Sequence, residues 1–188
     1  ASSSSLPSTP KEQIQYVIAQ AHKQSDEIPR LEKYLERFER TAGKAEKFTA
    51  GDVWRVMYVC SQMERPSEAI LLQALERLDG TLLKTASAKD LGLLMHCLGV
   101  IDKKKWFIAD RVVRDRALTC VLEEIVTERP RRVFTPVDMS QIVYSMAVMN
   151  LRDARVLHAL VKGHVMRCVD SLRGRECSNV LWALAKLD

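Results

Sequence analysis

The feature that most constrains this chain is an amphipathic pattern of thirteen residues that occurs four times. Each copy begins with an acidic residue, and the four segments align without gaps from Asp52, Asp90, Asp138 and Glu176. The intervals between these acids are 38, 48 and 38 residues. A period of that size is typical of arrays built from helical hairpins. The sequence therefore predicts an all-α fold, a right-handed α-solenoid of about four and a half hairpin units.

The repeat divides the chain into three parts. Residues 1–10 are rich in Ser and Pro and predict a disordered N-terminal segment. Residues 11–47 predict a degenerate first hairpin, and residues 48–188 predict the repeat array, with an insertion near 102–112. Within the array we expect second helices that begin near Pro66, that run from about Trp106 to Thr127, and that run from about Asp153 to Leu172. Val112 is among the residues expected in the core, and Gly80 is expected to loosen the end of its helix.

Each residue after the acid has a predicted environment. At 100° per residue, the first, fourth, fifth, eighth and eleventh residues share one arc, which predicts the core side of the helix. In the first copy these are Val53, Val56, Met57, Cys60 and Met63, and in the last copy Cys177, Val180, Leu181, Leu184 and Leu187. The ninth residue is always small, which favours close approach of a neighbouring helix; it is Ser61, Gly99, Ala147 and Ala185.

The sixth residue after the acid always carries a ring, in the series Tyr58, His96, Tyr144 and Trp182. One interpretation is structural: the first helices of consecutive hairpins stack side by side, and each ring fills the gap between them. The other is functional, because rings at regular spacing can stack on nucleobases. The pattern alone leaves both interpretations open.

The charge of +5 is concentrated in the second half of the chain, where residues 101–188 hold sixteen Lys and Arg against eleven Asp and Glu. Such a surface indicates an anionic partner, most often nucleic acid, or else a solvated basic face. The candidate phosphate contacts are Lys103, Lys104, Lys105, Arg111, Arg114, Arg131 and Arg132. The second and third residues after the acid vary in chemistry between copies, as expected of a modular reader of bases; the candidates are Arg55, Gln141 and Asn179.

The sequence contains no recognisable catalytic or cofactor motif. It lacks a Gly-rich phosphate loop, the H-E-x-x-H and G-x-S-x-G motifs, and paired Cys spacing for zinc. The four repeated acids are better interpreted as helix caps than as catalytic groups. We therefore expect no enzyme activity, no cofactor and no metal site.

The chain has no apolar stretch long enough to span a membrane. Its five cysteines are interpreted as reduced thiols in an intracellular compartment.

The C-terminal copy, Glu176-Cys-Ser-Asn-Val-Leu-Trp-Ala-Leu-Ala-Lys-Leu187, closely resembles the first helix of octotricopeptide and heptatricopeptide repeats. These repeats are related to those found beside RAP domains in organellar proteins. The resemblance covers residues 48–188 and is strongest at 172–188. It implies an α-solenoid that binds single-stranded RNA in a mitochondrion, or alternatively a plastid, in RNA metabolism or as a ribosome-associated subunit that contacts rRNA.

The sequence departs from that family in the insertion after Asp102, in the degenerate first unit and in the absence of a recognisable RAP domain. These departures favour a structural role among other protein subunits of a ribonucleoprotein over base-by-base reading. The alternative function is a protein–protein scaffold within a large mitochondrial complex. It is suggested by apolar residues at positions expected to face away from the core, namely Leu93, Val100 and Val148.

Overall fold

The computed structural model describes residues 49–62, 68–104, 111–127, 133–165 and 169–188. These residues form eight α-helices and contain no β-strand, so the predicted all-α class is confirmed for them. The helices are α1 (Ala50–Gln62), α2 (Glu68–Glu76), α3 (Gly80–Leu83), α4 (Ala88–Lys103), α5 (Arg111–Val126), α6 (Pro136–Val148), α7 (Ala154–Leu160) and α8 (Gly174–Leu187). The predicted disordered segment, 1–10, and the predicted first hairpin, 11–47, lie outside the described residues.

The four first helices of the repeat, α1, α4, α6 and α8, begin at similar caps. In three of them a hydroxyl residue precedes the helix, and an aspartate three residues later accepts hydrogen bonds from its backbone N–H and its hydroxyl. These capping boxes are Thr49–Asp52, Ser87–Asp90 and Thr135–Asp138. At α8, the Glu176 carboxylate accepts from the backbone N–H of Arg173 at 3.0 Å. The repeated acids thus satisfy N–H groups that the first turn would leave unpaired, as the sequence predicted.

The helices pack as two series. Helices α1, α4, α6 and α8 contact one another in that order, and α2, α5 and α7 form a second series of contacts. The two series are joined within hairpins, by contacts of α1 with α2, α4 with α5, and α6 with α7. Helix α3 packs on α5. Each hairpin therefore buries its apolar stripe between its own two helices and against the next hairpin.

The predicted core arc is confirmed in three of the four copies for its first, fourth, fifth and eighth residues, whereas the eleventh residue of the third copy, Met149, is half-buried. In α1, α4 and α6, the first, fourth, fifth and eighth residues after the acid are at most 3% exposed. In α8 the prediction is wrong for Leu181, which is 69% exposed, while Cys177 and Leu184 are half-buried. The reason is that, among the described elements, only α6 packs extensively on α8, so no second helix covers this side. Met63, predicted on the same arc of the first copy, lies outside the described residues.

The second helices differ from the expectation in three places. Val112, expected in the core, is 77% exposed in the first described turn of α5. The helix expected from Asp153 to Leu172 is regular only over Ala154–Leu160; it continues as a π-helical turn, Val161–Val165, and a 3-10 helix follows at Val169–Ser171. Gly80 does not end a helix but begins α3, where the Asp79 side chain accepts from the backbone N–H of Leu82 at 2.7 Å.

Helices α4 and α6 approach each other closely because small residues face each other. A Cβ atom added at Gly99 would lie 3.1 Å from the Cβ atom of Ser145, and one added at Gly92 would lie 3.2 Å from the Cα atom of Asp138. The ninth residue after the acid is also buried in α1 and α6, as Ser61 and Ala147. Close approach at the small position is thus confirmed at Gly99, Ser61 and Ala147 are shown to be buried, and Ala185 in α8 is exposed.

Candidate functional site

A groove of about 370 Å³ crosses the first helices α4, α6 and α8. Helix α4 contributes its second half, from His96 to Lys103, and α6 contributes residues along its length. Helix α8 contributes its first turns, at Arg175, Glu176 and Asn179. None of the described residues of α2, α5 or α7 lines this space. The groove therefore belongs to the side of the first helices that does not pack on the second helices.

Close packing of α4 on α6 shapes the groove. Gly99, Ser140 and Ser145 line it and are all buried. Because these residues are small, their helices come together beneath the groove, and longer side chains remain to form its walls. Those longer side chains include Gln141 and Asn179, which occupy the same position of the repeat in α6 and α8. Two amides, each able to donate and accept, thus lie on neighbouring helices.

Two cations border the groove. Lys103 lies in the last turn of α4 and Arg175 in the first turn of α8, and both are exposed. Within the described part of the chain, neither side chain forms an ion pair. The carboxylate that also lines the groove, Glu176, accepts the capping hydrogen bond from the Arg173 backbone. The groove consequently presents positive charge that no carboxylate of a described residue neutralises by contact.

The rings at the sixth position support the structural interpretation for one pair. Tyr144 and Trp182 lie on neighbouring first helices with their ring centroids 5.1 Å apart and their planes 36° apart. The Nζ atom of Lys186 lies 5.1 Å from the centroid of the Trp182 ring. Tyr144 is half-buried and lines the groove, so the same ring packs between helices and faces the open space.

His96 is the ring-bearing residue at the sixth position of the repeat in α4, and it lines the groove with Tyr144. Burial lowers the pKa of its imidazole below the usual value, and the positive charge of Arg175 lowers it further. Both effects disfavour the imidazolium form, the first because burial removes water and the second because like charges repel. In the open groove the neutral imidazole is therefore favoured.

Three of the ten side chains predicted to contact RNA meet in this groove, namely Lys103, Gln141 and Asn179. Lys104, next to Lys103, points elsewhere: its Nζ atom donates to the backbone carbonyl of Ser61 at 2.7 Å. Its ammonium group thus caps the C-terminal end of α1, where unpaired carbonyl groups favour a cation.

The other predicted contacts lie outside the groove. Arg114 donates to Asp115 at 2.9 Å and to Asp102 at 3.4 Å. The guanidinium of Arg55 lies 4.9 Å from the ring centroid of Trp54 and 4.0 Å from the carboxylate of Asp52. Arg111 is exposed in the first described turn of α5. Lys105, Arg131 and Arg132 lie outside the described residues.

Among the charged and aromatic residues of the groove, Arg175 was not predicted as a contact, and His96 and Tyr144 were given a base-stacking role only as one of two interpretations. The two rings belong to the ring series, but that pattern did not assign them to a site. Arg175 immediately precedes the capping acid of its helix, and Val137 precedes that of α6 and also lines the groove. The position before the acid therefore faces the groove in two consecutive copies. The repeated pattern begins at the acid, so it does not include this position.

Neither a metal site nor a membrane span is found within the described ranges. No group of three or more His, Cys, Asp or Glu side chains there is arranged to hold a metal ion. None of the helices in those ranges combines the length and the apolar character that crossing a membrane requires.

Comparisons with protein-family models, with curated proteins and with solved structures found no match to this chain.

Proposed function

We propose that this chain is a non-catalytic helical-repeat protein that binds single-stranded RNA across its first helices. The observation that carries the proposal is the groove over α4, α6 and α8, which combines Lys103 and Arg175 with the amides of Gln141 and Asn179. Cations attract the phosphate backbone, and their contacts with it release bound counterions. Amides and a ring suit unstacked bases, whose edges and faces are accessible only in single strands.

We also propose that the hairpins form a right-handed α-solenoid, as the resemblance to octotricopeptide and heptatricopeptide repeats implies. The ordered contacts α1–α4–α6–α8 and α2–α5–α7 support this arrangement, because each hairpin packs on its neighbours in sequence. A mitochondrial location, or alternatively a plastid one, and a role in RNA metabolism or beside ribosomal RNA belong to the same proposal. Their support is the resemblance alone.

The test is binding of a fluorescent single-stranded RNA of mixed sequence, followed by anisotropy at several salt concentrations. The groove variant carries Lys103→Glu and Arg175→Glu. Its matched control carries Lys84→Glu and Lys162→Glu, which change the net charge equally at exposed sites that do not line the groove. We expect the groove variant to lose at least tenfold in affinity at low salt. Its salt slope should fall by about 1.4, since each single-strand phosphate contact contributes about 0.7.

Equal losses in the two variants would contradict the proposal, because they would reflect net charge rather than the groove. Unchanged binding by the groove variant would contradict it as well. Circular dichroism and melting temperature must show that both variants keep the fold.

A protein–protein scaffold is the second candidate, and one observation favours it. Leu181 on α8 is 69% exposed at a position that is fully buried in the other three copies. The sequence basis for this candidate is weaker, since Leu93, Val100 and Val148 are half-buried rather than exposed. Crosslinking of the native complex distinguishes the two functions. Crosslinks to RNA at groove residues support RNA binding, and crosslinks confined to protein support the scaffold.

A further inference from the structure

His96 differs from the other rings of its series in a chemically important way. The equivalent residues are Tyr58, Tyr144 and Trp182, and of these residue types only histidine ordinarily changes charge between pH 5 and 8. The imidazole is half-buried, lines the groove and lies close enough to Arg175 to be affected by its charge. It forms no hydrogen bond or ion pair with any described residue. Its nitrogen atoms are therefore available to a ligand in the groove.

We infer that His96 and Arg175 form a phosphate-binding subsite of the groove, where His96 is protonated when a phosphodiester of single-stranded RNA is bound. This inference rests on the proposed function and adds that RNA binding is coupled to protonation of His96. A phosphate oxygen accepts charge-assisted hydrogen bonds from both the guanidinium and the imidazolium. The anion also offsets the repulsion between the two cations, which opposes protonation in the empty groove. Binding of RNA is thus accompanied by uptake of a proton.

Other charged and titratable groups surround this subsite. Lys103 lies seven residues beyond His96 on the same face of α4, about two turns away. Helix α8 contributes Glu176 beside Arg175, and α6 contributes Tyr144. Helix α1 packs on the other flank of α4 and carries Tyr58 at the equivalent position, while α5 contributes no residue to the groove. No other histidine lines the groove among the described residues. A response between pH 5 and 8 is therefore assigned to His96.

The experiment measures the affinity of the full chain for the same RNA from pH 5.5 to pH 8 at constant low salt. The test variant is His96→Tyr, which places in α4 the residue found at this position in α1 and α6. The control is His158→Tyr, since His158 is exposed on α7 and does not line the groove. We expect the affinity of the wild type and of the control to rise several-fold as the pH falls. One proton limits this rise to tenfold per pH unit.

In His96→Tyr the affinity should be nearly independent of pH. At pH 5.5 its salt slope should be smaller than that of the wild type by about 0.7, the contribution of one single-strand phosphate, and the slopes should converge at pH 8. This second measurement separates a phosphate ligand from a residue that only supports the shape of the groove. Melting temperatures at both pH values verify that the variants are folded.

The possible failures have different meanings. If His96→Tyr shows the same pH response as the wild type, the subsite is wrong although RNA binding stands. The same conclusion follows if the wild type binds RNA equally well at every pH. If none of the proteins binds RNA at any pH, the proposed function itself is wrong, and the subsite is refuted with it.

Discussion

The fifth position after the capping acid is present in all four copies of the repeat, but its side chain is buried in three copies and exposed in the fourth. Met57, Met95 and Val143 are fully buried, whereas Leu181 is 69% exposed. The side chain at this position therefore contributes very differently to the free energy of unfolding in different copies. Burial of an aliphatic side chain stabilises a protein by about 1.5–3 kcal/mol, and an exposed side chain contributes little of this.

We predict that Met95→Ala lowers the free energy of unfolding by about 2–5 kcal/mol because it leaves a cavity in a packed core. Leu181→Ala should lower it by less than about 0.5 kcal/mol, as is usual for surface substitutions. Urea denaturation followed by circular dichroism measures both values. Similar losses in the two variants would mean that a surface covers Leu181 in solution, and dependence of the loss on protein concentration would identify that surface as a second copy.

Residues were predictable from the sequence where their environment is set locally. Asp52, Asp90 and Asp138 cap helices because a hydroxyl residue lies three positions earlier, and that spacing is visible in the chain. Lys103 and Lys104 are adjacent in sequence but differ in role. Lys104 reaches the carbonyl of Ser61, 43 residues away. Only the packing of α4 on α1 determines which of the two lysines remains free for the groove.

At the scale of elements, the starts of the first helices follow from the chemistry of their caps. At α6, the Thr135 hydroxyl donates to the Asp138 carboxylate at 2.7 Å and accepts from the Asp138 backbone N–H at 3.3 Å. Pro136 occupies the first helical turn, where its missing N–H is of no consequence. All these signals lie within four residues, which is why the start of α6 was predicted at the correct residue.

We predict that Thr135→Ala destabilises the protein by about 1 kcal/mol, the usual effect of losing a hydroxyl cap. Thr119→Ala is the control, because Thr119 is exposed within α5 and its hydroxyl donates to the backbone carbonyl of Asp115. That change should lie within about 0.5 kcal/mol of the wild type. Thermal unfolding of both variants provides the measurement, and an equal loss in the control would show that the cap contributes nothing special.

The second helices were predicted less well, for a physical reason. In α5 the apolar residues Leu118, Val121, Leu122 and Ile125 recur at helical spacing and are buried, because periodicity identifies a face. Periodicity does not reveal where regular hydrogen bonding changes. In the segment after α7, the π-helical turn contains Gly163, a poor helix former, and this turn contacts α6 as well as α7. The helical character of these segments and the order of the seven longer described helices were thus predictable, whereas the short helix α3 and the irregular segments were not.

At the scale of the whole molecule, the site depends on how closely the first helices pack. The groove crosses three helices from successive hairpins, so no single repeat contains it. Individual members of the site, Lys103, Gln141 and Asn179, were predictable from the sequence by charge or by repeat position. Their meeting in one groove was not, because the spacing of α4 and α6 depends on the contact of Gly99 with Ser145, 46 residues apart.

That contact gives the last prediction. A methyl group added by Gly99→Ala would lie 3.1 Å from the Ser145 side chain, which is tighter than ordinary packing. The higher helix propensity of Ala favours the variant by about 1 kcal/mol, but overpacking costs about 1–3 kcal/mol, so we expect net destabilisation and weaker RNA binding. Gly80→Ala is the control, since nothing lies within 4 Å of the added atom, and it should be neutral or stabilising.

A double-mutant cycle with Ser145→Gly then tests the cause. Ser145→Gly removes the side-chain atoms that the new methyl group would meet and leaves the Cα atom, which is 3.3 Å from the position of that methyl group. If crowding is the cause, Gly99→Ala should be less destabilising beside Ser145→Gly than alone, with a coupling energy of about 0.5–3 kcal/mol. RNA affinity should recover in parallel, because the spacing of α4 and α6 sets both the stability of the packing and the width of the groove. Additive effects would show that Gly99 influences stability only within its own helix.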